Sequence, residues 1–132
     1  MAERIRVFKV EIEDRPGSLY GTLSTISGAG LDLQCLGATS LGGGKGVMYI
    51  VPKDVEAALS FAERMGVTPE EMTGIMITGE DKAGAGAEAL NPLKDAGING
   101  MFCMATCFGG QFVLVLIVNQ EDGDAAAKAY GC

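Results

Sequence analysis

The chain has 132 residues, 48% of them hydrophobic, and a formal net charge of −7; this length makes one ordinary domain or two small ones, and the apolar share supports a packed core rather than disorder. Ten lysines and arginines against seventeen aspartates and glutamates leave no basic stripe to track phosphates, which argues against nucleic acid as a partner. The sequence has no histidine, and that removes the usual neutral-pH acid and base, the Ser-His and Cys-His nucleophile pairs, and most zinc and iron sites, so no cofactor and no metal are expected.

In chain order, Ile5, Val7, Val10 and Ile12 predict a strand, ended by the turn chemistry of Asp14-Arg15-Pro16-Gly17. Leu19, Leu23 and Ile26 recur at four and three and predict a helix, which stops at Gly28 and Gly30. Leu31 to Leu41 and Val47 to Val51 read as a hairpin around Gly42 to Lys45. Asp54 is placed to cap a second helix with Val55, Ala58, Leu59 and Ala62 on one face, closed by Met65-Gly66. Only Gly66 to Met72 remains for a last strand.

The order then recurs: a strand from Gly74 to Thr78, a helix from about Gly84, hairpin strands Ile98 to Cys107 and Phe112 to Val118, and a short helix from Glu121, with no final strand before Cys132. Pro92 falls inside the predicted helix, where an interior proline costs about 3 kcal/mol, so Asn91-Pro92 is expected to cap a restarted turn. Laid on itself at an offset of 67, the chain aligns 1–65 with 68–132 without a gap and shows fifteen identities, where composition alone would give roughly five. The matches fall on turns: Asp14 and Gly17 on Asp81 and Gly84, Ala29-Gly30 on Ala96-Gly97, and Gly42-Gly43 on Gly109-Gly110. Two domains follow, 1–70 and 71–132, with the acidic surplus in the second half.

No apolar run is long enough to span a membrane, and residues 1–6 are charged rather than the start of a signal peptide, so a cytoplasmic protein without a membrane partner is expected. Cys35, Cys103, Cys107 and Cys132 include no C-x-x-C pair; Cys103 and Cys107 are expected as small buried hydrophobes with free thiols. Gly42-Gly43-Gly44-Lys45-Gly46 fails as a phosphate loop, because Thr39 stands where the first glycine is required and Gly46 where Ser or Thr should follow the lysine. The nearly continuous apolar strands from Met101 to Val118 exceed what one buried sheet face needs, and predict burial between the repeats together with a homodimer.

A strand ending in Asp14-Arg15-Pro16-Gly17-Ser18-Leu19, a helix, and then Ala29-Gly30-Leu31-Asp32-Leu33 resembles the ACT domain. The match spans both repeats and is closer in the first, since Ala83 and Gly86 replace the proline and leucine in the second. The resemblance implies an α+β fold of two ferredoxin-like βαββαβ modules, with antiparallel sheets and helices on one face, and a regulatory rather than catalytic protein that binds a free amino acid and signals to a metabolic enzyme partner. It places the ligand at Asp14, Arg15, Pro16, Gly17, Ser18 and Leu19, with Leu31 and Asp32 across an interface, and at Asp81, Gly84, Ile98 and Asn99 in the second copy.

The chemistry of the first loop can be read in two ways. A helix N-terminus after Gly17 offers free N–H groups to a carboxylate, and Asp14 or Asp32 could receive an ammonium. The other reading is a strand-to-helix turn in which Asp14 or Ser18 caps the helix. Two further function classes stay open: a ligand-free accessory subunit of a metabolic enzyme, and a small enzyme using Cys103 or Cys107 without histidine.

Overall fold

Six strands and four helices are formed along the chain in a computed structural model that describes every residue from Met1 to Cys132. They are β1 (Ala2–Glu13), α1 (Ser18–Gly28), β2 (Leu33–Gly42), β3 (Lys45–Pro52), α2 (Val55–Arg64), β4 (Glu70–Glu80), α3 (Ala85–Asp95), β5 (Phe102–Phe108), β6 (Gln111–Val118) and α4 (Gly123–Tyr130). The chain divides into two compact units: a first unit of Arg6–Glu71, and a second of Met72–Cys132 together with Met1–Ile5. No helix is long and apolar enough to cross a membrane.

In the first unit the strand order is β2-β3-β1, with antiparallel pairing throughout. Phe8 stands opposite Ile50, Val10 opposite Met48 and Ile12 opposite Gly46, which puts Phe8, Val10 and Ile12 on one face by the alternation of side chains along a strand. Val7, Phe8, Ile26, Val47, Met48, Tyr49 and Val51 are buried. Ion pairs tie the first residues of β4 to β1, Arg6 to Glu71 at 2.7 Å and Lys9 to Glu70 at 3.6 Å. Asp54 caps α2 as expected, its carboxylate accepting from the N–H of Ala57 at 3.1 Å. Of the α1 stripe only Ile26 is buried, and Leu19 is exposed.

The second unit has the order β4-β6-β5. Its core gathers Leu93 of α3, Phe112, Leu114, Leu116 and Val118 of β6, and Ala126 of α4. The Tyr130 hydroxyl donates to the carbonyl of Ala89 at 2.6 Å and ties α4 to α3. The final strand that the sequence lacks at this end comes from the other end of the chain: Met1 exchanges two backbone hydrogen bonds of 2.9 Å with Thr78. Arg4 reaches Thr73 at 3.5 Å and Asp124 at 2.9 Å.

Three expectations are corrected. Pro92 neither ends nor restarts a helix, because α3 runs unbroken from Ala85 to Asp95. The carbonyl it deprives of a partner is that of Glu88, an exposed residue whose backbone water can reach. Cys103 and Cys107 are exposed rather than buried, with Met104 and Phe108 beside them, because β5 is an outermost strand. The gap-free alignment also slips at the hairpins. Asp14 donates its N–H to Gly44 and Asp81 donates its own to Gly110, an offset of 66 after the turn, since the first turn holds three glycines with positive φ and the second two.

Candidate functional site

The segment between β1 and α1 is built by local chemistry. Asp14 donates its N–H to the Gly44 carbonyl at 3.0 Å, which closes the end of the strand, and Ser18 donates to the Arg15 carbonyl at 3.1 Å, which closes the turn. Gly17 then stands at φ 89°, ψ −12°, a left-handed conformation that costs any residue with a Cβ about 1–2 kcal/mol. No side chain caps α1, so the positive end of the helix is open to a ligand or to water.

Behind this turn lies a half-open cleft of about 700 Å³, lined by β1 and β3, by α1 and by α2. Its wall is mostly apolar: Phe8, Val10, Ile12 and Ile50 from the strands, Ile26 from α1, and Leu59, Phe61 and Met65 from α2. Arg15, Pro16, Gly17 and Ser18 line it at the turn, with Thr22 and Thr25 further along α1. The Ser18 hydroxyl oxygen is wholly buried and has no hydrogen-bond partner. Arg15 forms an ion pair with Glu13.

Arg15, Pro16, Gly17, Ser18 and Leu31, all named by the sequence, therefore share one cleft wall, whereas Asp14, Leu19 and Asp32 stand outside it. The Asp14 carboxylate accepts from the Ser40 hydroxyl at 2.5 Å. Asp32 holds Lys53 at 2.9 Å, and this hydrogen-bonded cation keeps its carboxyl below the usual carboxylate range. Both acidic groups already have partners inside their own unit.

The second unit repeats the turn. Gly84 has φ 86°, Ala85 donates to Lys82 at 3.2 Å, and α3 also lacks a side-chain cap. Behind it the core is filled, with Ala85 and Ile98 packed against it, and Asn99 is exposed. Asp81 hydrogen-bonds the Cys107 thiol and pushes its pKa up.

Sequence reasoning missed the cleft wall on α2. Leu59 and Ala62 carry a helical stripe that reads as core, and the stripe holds no sign that α2 would leave these residues only half-buried.

No family model matches the sequence, and no curated protein is recognisably similar to it. Solved structures do resemble it. Protein BT0572 from Bacteroides thetaiotaomicron is 14% identical, with a TM-score of 0.76 over 98% of this chain and 90% of that one. The ligand-free regulatory subunit of aspartate kinase from Thermus thermophilus is 17% identical, with a TM-score of 0.64 over 99% and 93%. A structure of aspartokinase alpha and beta subunits is 15% identical, with a TM-score of 0.62 over 100% and 97%. At such identities the likeness is one of fold: the chain has the α+β, ACT-like ferredoxin-type architecture found in regulatory subunits of aspartate kinase.

Proposed function

We propose that the chain is a non-catalytic, cytoplasmic regulatory protein of two ACT-like modules, 1–70 and 71–132, that binds a free amino acid at the loop between β1 and α1 and passes its occupancy to a metabolic enzyme. The observation that carries this reading is the uncapped N-terminus of α1 behind a left-handed Gly17, where backbone donors answer a carboxylate without a basic side chain. The regulatory subunits that share the fold support it.

Asp32 is the acceptor for the ammonium, exchanging Lys53 for the ligand. The site at Asp81, Gly84, Ile98 and Asn99 is the weaker of the two, since Asn99 brings no charge and the core behind Gly84 is filled. The exposed edge of β5, with Met104 and Phe108, supplies the surface for a homodimer.

Calorimetric titration of the standard amino acids into the whole chain tests this. One of them binds saturably, Asp32→Ala weakens it about tenfold, the scale of a charge-assisted hydrogen bond, and Asn99→Ala weakens it less. Gly17→Val abolishes it in a protein that still folds. Folded Asp32→Ala and Gly17→Val proteins that bind like the wild type would move the site elsewhere. Absence of any binding would favour the ligand-free accessory subunit, for which the filled core behind the second loop already speaks. Sedimentation at micromolar concentration decides the assembly: a dimer is expected, and a species of 13.6 kDa alone refutes it.

A further inference from the structure

Strand β5 reads nearly the same in both directions. From Phe102 to Phe108 it runs Phe-Cys-Met-Ala-Thr-Cys-Phe, symmetric about Ala105 except at Met104 and Thr106. The whole chain holds only five phenylalanines and four cysteines, so composition does not account for both matches in one strand. When two identical strands pair antiparallel about a two-fold axis, each residue faces its mirror position. An axis at Ala105 sets aromatic against aromatic and thiol against thiol.

The backbone of β5 suits such a pairing. Gly109 and Gly110, both with positive φ, make the two-residue turn between Phe108 and Gln111, and the residues flanking such a turn exchange hydrogen bonds. By alternation the N–H and C=O groups of Phe102, Met104, Thr106 and Phe108 point to β6, and those of Cys103, Ala105 and Cys107 point out from the free edge. These three residues are exposed. The outer strand of the first unit, β2, shifts register between Leu33 and Cys35 and again between Ser40 and Gly42, and irregularities of this kind blunt an edge. Strand β5 keeps one register throughout and has none of the charges or prolines that protect an edge.

Residues 96–120 hold no charged side chain, in a chain of net charge −7, so two acidic copies meet along β5 without like charges facing each other across the strands. Asp81, which hydrogen-bonds Cys107, stands at one end of the strand, and the two-fold axis puts its copy at the other. Met101, Met104 and Phe108 are exposed, Phe108 to 90%, and this apolar surface is what a second copy would cover.

We propose that a second copy of this chain docks on β5 by adding its own β5 antiparallel about a two-fold axis at Ala105, with Cys103 facing the partner's Cys107 and Phe102 facing the partner's Phe108. The register rests on the homodimer proposed above and is independent of amino-acid binding.

Opposed Cα atoms in such a pair stand about 5.5 Å apart, whereas Cys103 and Cys107 of one chain lie about 13 Å apart along the strand. Dibromobimane alkylates two thiols and is too short to bridge the longer distance. It is added at mildly alkaline pH to the whole chain carrying Cys35→Ser and Cys132→Ser. Denaturing gels show a covalent dimer, and peptide mass spectrometry places the bridge between Cys103 and Cys107. Adding Cys103→Ser or Cys107→Ser alone removes the bridge, because each remaining thiol then faces a serine; an equilibrated mixture of the two variants restores it. Ala105→Lys sets two cations against each other at the axis and weakens the dimer about tenfold or more in sedimentation, with circular dichroism unchanged.

The proposal is overturned if the chain sediments as a dimer and no bridge forms, if either single-cysteine variant is still bridged, or if the mixture is not. A homodimer through another surface would then stand. A 13.6 kDa species alone would remove the homodimer and this register together. Should Ala105→Lys fail to fold, the mixture of cysteine variants decides by itself.

Discussion

Gly123 is the first residue of α4, and helix propensity alone says that alanine there should stabilise the protein by about 1 kcal/mol. The packing in the second unit says the opposite. A Cβ on Gly123 would stand 2.3 Å from Thr73 Oγ1, 3.1 Å from Thr73 Cβ and 3.0 Å from Arg4 Nη2. Thr73 cannot easily turn away: it is buried and β-branched, its hydroxyl donates to Gln120 at 2.9 Å, and it receives Arg4 at 3.5 Å. Forcing a methyl group into such a site costs about 1–3 kcal/mol, and breaking the bond to Gln120 adds about 1 kcal/mol. Set against the propensity gain, Gly123→Ala is expected to destabilise by about 1–3 kcal/mol. Urea unfolding followed by circular dichroism measures this, best as a cycle with Thr73→Ala, where the clashing oxygen is gone and Gly123→Ala should cost less than about 1 kcal/mol. A stabilised Gly123→Ala, or the same cost in both backgrounds, would refute the packing of Thr73 against α4.

Gly17→Ala, which meets no atom within 4 Å, should lose about 1–2 kcal/mol from backbone strain alone, while Gly21→Ala, inside α1 and equally unobstructed, should gain about 0.5–1 kcal/mol; equal effects in chemical denaturation would contradict the left-handed turn. Asp81 raises the pKa of the exposed Cys107 thiol by hydrogen bonding it, so Asp81→Asn should speed iodoacetamide labelling of Cys107 at a fixed, mildly alkaline pH, and an unchanged rate by mass spectrometry counts against that contact. Burial raises the pKa of Tyr130, so its share of stability is complete below the ordinary tyrosine range and lost as pH rises through the folded value; Tyr130→Phe should be less stable at neutral pH and lose less on going alkaline, and parallel pH profiles would count against it.

The amino-acid sequence by itself determined the elements that depend on near neighbours. Strand-to-helix turns at Gly17 and Gly84, the Asp54 cap and the hairpins around Gly42–Gly44 and Gly109–Gly110 follow from backbone freedom and capping within a few residues, and the ferredoxin-like order of elements follows from their succession. Tertiary structure decided what distant segments do to one another. Pro92 stays in α3 because the carbonyl it orphans is on a wet face, and the fourth strand of the second unit comes from Met1–Ile5, more than sixty residues away in the chain.

Exposure of Cys103 and Cys107 follows from strand order, which an apolar run cannot reveal. The partners of Asp14 and Asp32 are Ser40 and Lys53, brought to them by strand pairing and by chain return rather than by spacing. The cleft behind Ser18 was the least legible of all. Leu59 on α2 and Ala126 on α4 sit on similar helical stripes, and whether such a stripe presses onto a sheet or stands off it depends on the volumes of all the facing side chains together, Gly46 and Phe112 among them, a sum that exists only once the chain has folded.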